Sequence, residues 1–351
     1  MTGNLDGDLP FLRHWLEGVQ AHPLRWYFES RRPNLHPSVV FAWWRNPILR
    51  AVEETLAILE AAQPDGLGAK RREFRAFRDQ SGVGMDQFMT HRAELTVASH
   101  LAESGIPFRF NGGEGPDILL GSGEQDFGIE VSSRRPKSLR SLTQELSTGL
   151  RARGLPSAVS YSTNPIPPVL IRDKVRKEIL EAFLPTDGTP GVTSMRVMAS
   201  PARPDDGIPA SWVTIEVSSR GGYGRMSAPH NSPHMIAMAQ EVARNVLREK
   251  RKVRQSKLLP SVLIVDLSDT DLPDLRCWPE VFSKMWEETD QFLALAAMTM
   301  ITRSREPKLS FSLNPFIDRK LVEEFVELVA PCAAFGSLSD RLQGRRLSRW
   351  A

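Results

Sequence analysis

Three acidic residues in this chain occur where an acid needs a special reason. Glu94 lies in a segment with helical periodicity. Asp117 precedes a short apolar run, and Glu130 interrupts a second one. Mg²⁺ is commonly held by one or two carboxylates, with water and a substrate phosphate completing its coordination. If the three acids meet in space, they predict a site for Mg²⁺ or Mn²⁺. Taken singly, each could be a solvated or capping carboxylate.

The segment around Glu94 predicts a helix that turns this carboxylate inward. Residues three, four or seven positions apart share one face of a helix. The neighbours of Glu94 at these spacings are Thr90, Val97, Ala98 and Leu101. Because most of these neighbours are apolar, we expect Glu94 to lie on the packed face.

The other two acids belong to two short apolar runs, 117–120 and 127–132, joined by the connector 121–126. This pattern predicts a β-hairpin. If the hairpin is symmetric about its connector, Leu120 lies opposite Phe127 and Asp117 lies opposite Glu130. Directly opposed carboxylates repel each other unless a proton or a cation lies between them.

These residues resemble the signature of the PD-(D/E)xK nuclease superfamily: an acidic helix, a PD turn, a hairpin and a (D/E)xK triplet on the next strand. Glu94 matches the helix acid, Pro116-Asp117 the PD, and Glu130-Val131-Ser132 the triplet. The resemblance covers about 94–160. It implies an α/β fold in which a central mixed sheet is flanked by helices, a restriction-endonuclease-like core. It further implies a Mg²⁺-dependent hydrolase of the endonuclease type, with DNA favoured over RNA.

The chain departs from the family pattern at Ser132, where the family usually carries lysine. The resemblance implies that this lysine varies and is sometimes supplied from elsewhere. Arg134, two residues further along the same strand face, is one candidate, and Lys137 is another. A serine hydroxyl can hydrogen-bond the attacking water but cannot neutralise charge. The predicted catalytic residues are Glu94, Asp117, Glu130, Ser132 and Arg134, and the three acids are the predicted metal ligands.

Two other functions stay open. One is a catalytically inactive nuclease-like module that binds nucleic acid or a protein partner, for example in a restriction or phage-defence system. The other is a hydrolase or transferase with no nucleic-acid role, which would follow if Asp117 and Glu130 lay far apart.

A basic segment near residue 250 predicts a contact with nucleic acid. Residues 234–255 carry a helical apolar stripe whose distal half is strongly basic, and such a face can follow a phosphate backbone. The candidate residues are Arg248, Lys250, Arg251, Lys252 and Arg254. Lys252 could also approach the acidic site. The next run, 260–267, predicts a strand buried on both faces, and Asp266 near its end is either a turn acid or a further site residue.

Three further patterns have competing interpretations. The aromatic and basic residues of 22–45 could form a stacking surface for single strands or simply core contacts with arginine rims. The basic run 70–78 predicts a solvated helix face. Residues 129–134 recur letter for letter at 215–220, which predicts two similar strands in preference to a duplicated half-site.

Composition sets the outer bounds. The chain has 351 residues, 41% apolar and 25% charged, with a net charge of +3 and two cysteines. These values are typical of a globular protein in a reducing compartment, and no membrane-spanning or targeting segment is apparent. We therefore expect a cytoplasmic protein that has no membrane partner. The predicted organisation is an N-terminal helical subdomain at 1–80, a nuclease-like α/β domain with insertions at 81–335, and a basic tail at 336–351.

Overall fold

The chain divides into two compact units in its computed structural model. Unit 1 comprises Met1–Arg134, Ala243–Asp269 and Trp278–Ala351, and unit 2 comprises Arg135–Val242 and Thr270–Cys277. The predicted boundary at residue 80 lies inside unit 1. The structure describes residues 9–19, 22–24, 47–78, 83–121, 126–133, 139–164, 173–187, 189–202, 204, 210–219, 224–225, 233–249, 254, 257–268, 274–286, 292–300, 305–338, 340 and 342.

Helices and strands alternate along most of the chain. The α-helices are α1 Pro10–Leu16, α2 Pro47–Ala62, α3 Leu67–Ala76, α4 Val83–Glu103, α5 Leu139–Ala152, α6 Asp173–Phe183, α7 Pro233–Leu247, α8 Trp278–Ser283 and α9 Arg319–Val329. The strands are β1 Phe108–Phe110, β2 Ile118–Gly121, β3 Asp126–Ser133, β4 Ala158–Asn164, β5 Ser194–Ser200, β6 Ser211–Ser218, β7 Gly224–Arg225, β8 Ser261–Asp266, β9 Phe292–Met300 and β10 Pro307–Leu313. None of the described helices combines the length and apolarity needed to cross a membrane.

Unit 1 contains a six-stranded mixed sheet in the order β1-β2-β3-β8-β9-β10. Short connectors make β1, β2 and β3 an antiparallel meander. Strand β8 then runs parallel to β3, and β9 parallel to β8, as strands joined by long crossovers do. Every residue of β8 is buried, which confirms the predicted strand covered on both faces. The predicted α/β class, with a mixed central sheet flanked by helices and preceded by N-terminal helices, is confirmed.

One apolar core joins the N-terminal helices to this sheet. Ile129, Val262 and Ala294 form a row across β3, β8 and β9, and they share a hydrophobic cluster with Leu12 and Leu56 from the first two helices. Removing this much apolar surface from water stabilises helices and sheet together. The N-terminal helices are therefore part of the unit that holds the candidate site.

The first residues of the predicted basic tail also belong to this core. Leu338 is fully buried and Leu342, one helical turn later, is nearly so. Both are in the same cluster, and the Ser337 hydroxyl donates a hydrogen bond to the Leu309 carbonyl. Two leucines at a spacing of four therefore anchor the described start of the predicted basic tail to the core.

Unit 2 contains a second sheet of four strands in the order β5-β6-β4-β7. Its apolar core combines one face of this sheet with helices α5 and α6. Residues along β6 alternate between buried and more exposed positions, as expected for a sheet packed on one face only.

Candidate functional site

Helix α4 carries Glu94 into the interior of unit 1, as its periodicity predicts. Val97, Ala98 and Leu101 are almost completely buried, and only 7% of the Glu94 surface is exposed. The helix ends at Glu103, and Gly105 adopts a left-handed conformation with φ of 68°, a common way to terminate a helix. A carboxylate buried to this degree needs a compensating partner.

Asp117 is positioned by a tightly held turn before β2. The Asn111 side chain donates a hydrogen bond to the Pro116 carbonyl at 3.0 Å, and the Asn111 backbone N–H donates to the Asp117 carbonyl at 3.0 Å. Pro116 packs over Gly128 of β3, where an added Cβ would lie 2.3 Å from the proline Cγ. Gly128 therefore allows the proline to approach the sheet, and this contact helps to fix the position of Asp117 just before β2.

The hairpin has the predicted register. Leu120 pairs with Phe127, and Ile118 pairs with Ile129. The same register continued by one step beyond that last pair would bring Asp117 opposite Glu130, across the hairpin. The Asp117 Oδ2 atom accepts a hydrogen bond from the Val131 N–H at 2.9 Å. Glu130 itself is 4% exposed.

The partner of Glu94 is Lys70 of helix α3, which the sequence patterns did not predict as a site residue. The Lys70 Nζ atom lies 2.6 Å from Glu94 Oε1 and 3.1 Å from Glu73 Oε2. It also lies 5.9 Å from the centroid of the Phe110 ring. Lys70 is 6% exposed, so the expectation of a solvated face for the basic run 70–78 is wrong at this residue.

The approach of α3 to β1 explains how a lysine reaches this position. Gly66 precedes α3 with φ of 85°, and an added Cβ there would lie 2.7 Å from the Phe110 carbonyl oxygen. The Phe110 N–H donates to the Asp65 carbonyl at 2.9 Å. Leu67, Lys70 and Phe74 are the buried residues of α3. Their spacing of three and then four residues is the signal that could have identified Lys70 as inward-facing.

The ionisable groups around Glu94 are strongly perturbed. Burial, and then the charge of Asp117, raise the pKa of Glu94 to about 8 against the opposing effect of Lys70. Burial disfavours the Lys70 ammonium, but Glu94 and Glu73 outweigh this effect and raise the pKa of Lys70. Burial and the Lys70 charge lower the pKa of His91 to about 3. At neutral pH the cluster therefore contains a charged lysine, a neutral histidine and a carboxyl group close to its titration point.

The remaining predicted catalytic residues are less fully placed. Ser132 lies on β3 beside Val265 of β8 and is 4% exposed. Arg134 and Lys137 lie outside the described residues. Asp266 is buried and joins a turn to β3: its Oδ1 accepts a hydrogen bond from the Ser268 N–H at 3.0 Å, and its Oδ2 accepts one from the Ser133 hydroxyl at 3.1 Å.

The predicted basic surface is described only in part. Arg248 and Arg254 are exposed, whereas Lys250, Arg251 and Lys252 lie outside the described residues. The helix predicted over 234–255 is described as far as Leu247.

The site offers carboxylate oxygens, which are the ligands that Mg²⁺ prefers. Among the described residues, no group of three or more His, Cys, Asp or Glu side chains is arranged to hold a metal ion. Glu94 and Asp117 nevertheless lie close enough for the charge of one to affect the other. Mg²⁺ often uses only one or two carboxylates with water, so Glu94 and Asp117 remain the candidate ligands among the described residues.

Known proteins do not add to these observations. Comparisons with protein-family models, with curated proteins and with solved structures find no match to the chain. A functional interpretation of the chain therefore depends on the geometry and charge of the site.

Proposed function

We propose that this chain is a metal-dependent nuclease, a hydrolase of phosphodiester bonds with DNA favoured over RNA, which acts in the cytoplasm as part of a restriction or phage-defence system. One observation carries the proposal: the charge of Asp117 helps raise the pKa of the buried Glu94 to about 8. Perturbed ionisable groups of this kind concentrate at functional sites. Glu94 and Asp117 are also the helix acid and the PD acid in the resemblance to the nuclease superfamily.

The site residues have separate roles in this proposal. Glu94 and Asp117 would hold Mg²⁺ or Mn²⁺, and Glu130 would complete the acidic set. When bound, such an ion polarises the scissile phosphate and lowers the pKa of the attacking water. Ser132 can hydrogen-bond that water. A cation is needed to stabilise the charge that develops on the phosphate. Lys70 is the candidate whose position is described, in addition to the predicted candidates Arg134 and Lys252.

The proposed partner is nucleic acid, and it contacts the exposed arginines after helix α7. Arg248 and Arg254 are exposed, and the intervening Lys250, Arg251 and Lys252 would add to the same basic stretch. Lysine and arginine contacts to phosphates release counterions, so binding should weaken steeply as salt concentration rises. A protein partner from the same defence system is compatible with this arrangement.

A catalytically inactive module is the second candidate, and a specific observation favours it. Ser132 stands where the family triplet usually has lysine, and Lys70, the lysine that contacts the helix acid, is paired with Glu94. Such a module would bind nucleic acid or a protein and use the acidic pair for folding or weak metal binding.

A plasmid-nicking assay separates the two candidates. We expect wild type to nick supercoiled DNA with Mg²⁺ or Mn²⁺, and Asp117→Asn and Glu130→Gln each to lower the rate by about 100-fold or more. The amide introduced by Asp117→Asn retains an oxygen that can accept the Val131 hydrogen bond, so a loss of activity would not reflect a broken hairpin. The matched control is Glu216→Gln, because Glu216 is the residue of the repeated segment on β6 that corresponds to Glu130. DNA binding without any product, with either metal, would support the inactive module instead.

A further inference from the structure

The acidic site contains its own cation. Lys70 is buried and lies within 3.1 Å of carboxylate oxygens from both Glu94 and Glu73. The His91 Nδ1 atom lies 3.7 Å from Glu73 Oε2 and 3.9 Å from Glu94 Oε2, and the charge of Asp117 also acts on Glu94. Three carboxyl groups, from Glu73, Glu94 and Asp117, therefore accompany the ammonium of Lys70, and each of them attracts a further cation when it is ionised.

The two carboxylates that hold Lys70 differ in exposure. The Glu94 side chain is 9% exposed, whereas the Glu73 side chain is 52% exposed. The two residues lie on different helices, Glu73 on α3 with Lys70 and Glu94 on α4. An ammonium that leaves Glu94 would therefore still have Glu73 as a partner, and it would not become a buried unpaired charge.

We infer that Lys70 is the resident counter-ion of this site, and that a divalent cation enters by displacing the Lys70 ammonium from Glu94 toward Glu73. This inference rests on the metal site proposed above and adds a competitor to it. An ammonium and a divalent ion cannot occupy the same side of one carboxylate, because like charges at such a distance repel strongly away from bulk water. The carboxylate that holds Lys70 is the helix acid that the metal needs.

A purely structural ion pair would behave differently. If Lys70 only completed the packing of α3 against α4, its removal would destabilise the fold and leave metal affinity unchanged or lower. A competing counter-ion predicts the opposite for affinity, since loss of the ammonium frees Glu94 for the metal.

Metal affinity is the first test. Mn²⁺ binding to the full chain is measured by electron paramagnetic resonance titration from pH 8 to pH 9 for wild type, Lys70→Met and Lys70→Arg. Lys70→Met keeps the length and burial of the side chain without its charge. Because Lys70 lowers the pKa of Glu94, its loss makes Glu94 harder to ionise, and we expect the variant to bind Mn²⁺ about tenfold more tightly than wild type at the upper end of this pH range. Lys70→Arg retains the charge and is the matched control, with an affinity close to wild type.

Lysine labelling of wild type is the second test, and it does not depend on a variant that folds. Reductive methylation with mass spectrometry measures the accessibility of Lys70 without metal and with saturating Mn²⁺. We expect Lys70 to be protected without metal and to become several-fold more reactive when Mn²⁺ binds. Lys177 and Lys320, whose side chains are 75% and 80% exposed, serve as internal controls and should not change.

The outcomes distinguish this inference from the proposed function. Equal or weaker Mn²⁺ binding by Lys70→Met, or unchanged Lys70 labelling while Mn²⁺ is bound, overturns the counter-ion role and leaves the metal site intact. If neither wild type nor Lys70→Met binds Mn²⁺, both the counter-ion role of Lys70 and the proposed metal site are wrong. A protein that binds Mn²⁺ with the expected competition but cleaves no DNA would retain the counter-ion role and lose the proposed activity.

Discussion

The segment IEVS occurs at 129–132 in β3 and at 215–218 in β6, and the two copies have different environments. Strand β3 lies between antiparallel β2 and parallel β8 and is buried on both faces from 127 to 132. Strand β6 lies between two antiparallel neighbours in the other sheet and is covered on one face. The same four-residue sequence therefore contains a buried Glu130 in β3 and an exposed Glu216 in β6.

The comparison separates what a strand sequence specifies from what the rest of the chain adds. Both copies bury the isoleucine completely, because alternation along a strand directs every second side chain to the packed face. The glutamate points to the opposite face in both. Whether that face is covered depends on other elements, so the acid becomes a candidate site residue only in β3.

The strongest test of the difference between β3 and β6 is to reverse the charge of each glutamate. Glu130→Lys places a cation at a buried position, and we expect it to lower the free energy of unfolding of unit 1 by about 3–5 kcal/mol. Glu216→Lys on the exposed face should change the free energy of unit 2 by less than about 0.5 kcal/mol.

Hydrogen exchange with mass spectrometry in increasing urea measures both variants, because peptides from each sheet report on their own unit. Glu130→Gln, which removes the charge and keeps the shape, is the control for loss of the acid alone. Similar losses for the two lysine variants would mean that the β3 face is not closed in solution.

Sequence patterns predicted the parts of this site that depend on local periodicity. The inward face of Glu94 follows from spacings of three and four, and the register of Asp117 against Glu130 follows from a symmetric hairpin. Lys70 was missed because its partner lies 24 positions away, on another helix. The pairing depends on the approach of α3 to β1, which no local pattern encodes.

The basic run around Lys70 concealed this signal. The basic residues of this run are typical of a solvated helix face. Lys70 nevertheless shares the buried face of the helix with Leu67 and Phe74. A similar signal at Leu338 and Leu342 was hidden by polar neighbours in the predicted tail. In both cases a few apolar residues at helical spacing outweigh the charged residues between them.

The second prediction concerns the pH dependence of unit 1, where the buried ionisable groups lie. The folded pKa of Glu94 is about 8, above its ordinary value of 4.5, so the folded state keeps a proton that the unfolded chain releases. Its contribution to stability is complete below pH 4.5 and is lost as pH rises toward 8. His91 acts in the opposite direction only between pH 3 and 6.5, since its folded pKa is lowered to about 3.

The window between pH 6.5 and 8 therefore isolates Glu94. Replacing Glu94 by Gln should flatten the decline in unfolding free energy by up to about 1.4 kcal/mol per pH unit in this window. Glu216→Gln, an exposed glutamate of the other sheet, is the control and should leave the profile of unit 1 unchanged. Parallel profiles for wild type and Glu94→Gln would contradict a raised pKa and remove the main support for the proposed site.

The third prediction concerns the valines of the repeated segment, where the expected difference between the two copies is the smallest. Val131 is 4% exposed in β3, whereas Val217 near the end of β6 is only partly buried. We expect Val131→Ala to lower the unfolding free energy by about 2 kcal/mol and Val217→Ala by less than about 1 kcal/mol, measured by the same hydrogen-exchange experiment.

Isoleucine variants show which part of this difference is set by the strand itself. Ile129 and Ile215 are both fully buried, so replacing either with valine should have a similar effect of about 1 kcal/mol. Equal losses of unfolding free energy for the two isoleucine variants, together with unequal losses for the two valine variants, would support this interpretation. The strand sequence would then determine the face that packs in both copies, and neighbouring elements would determine whether the other face is covered. If Val217→Ala were as damaging as Val131→Ala, the second face of β6 would be covered as well, and burial of Glu130 would no longer distinguish it from Glu216.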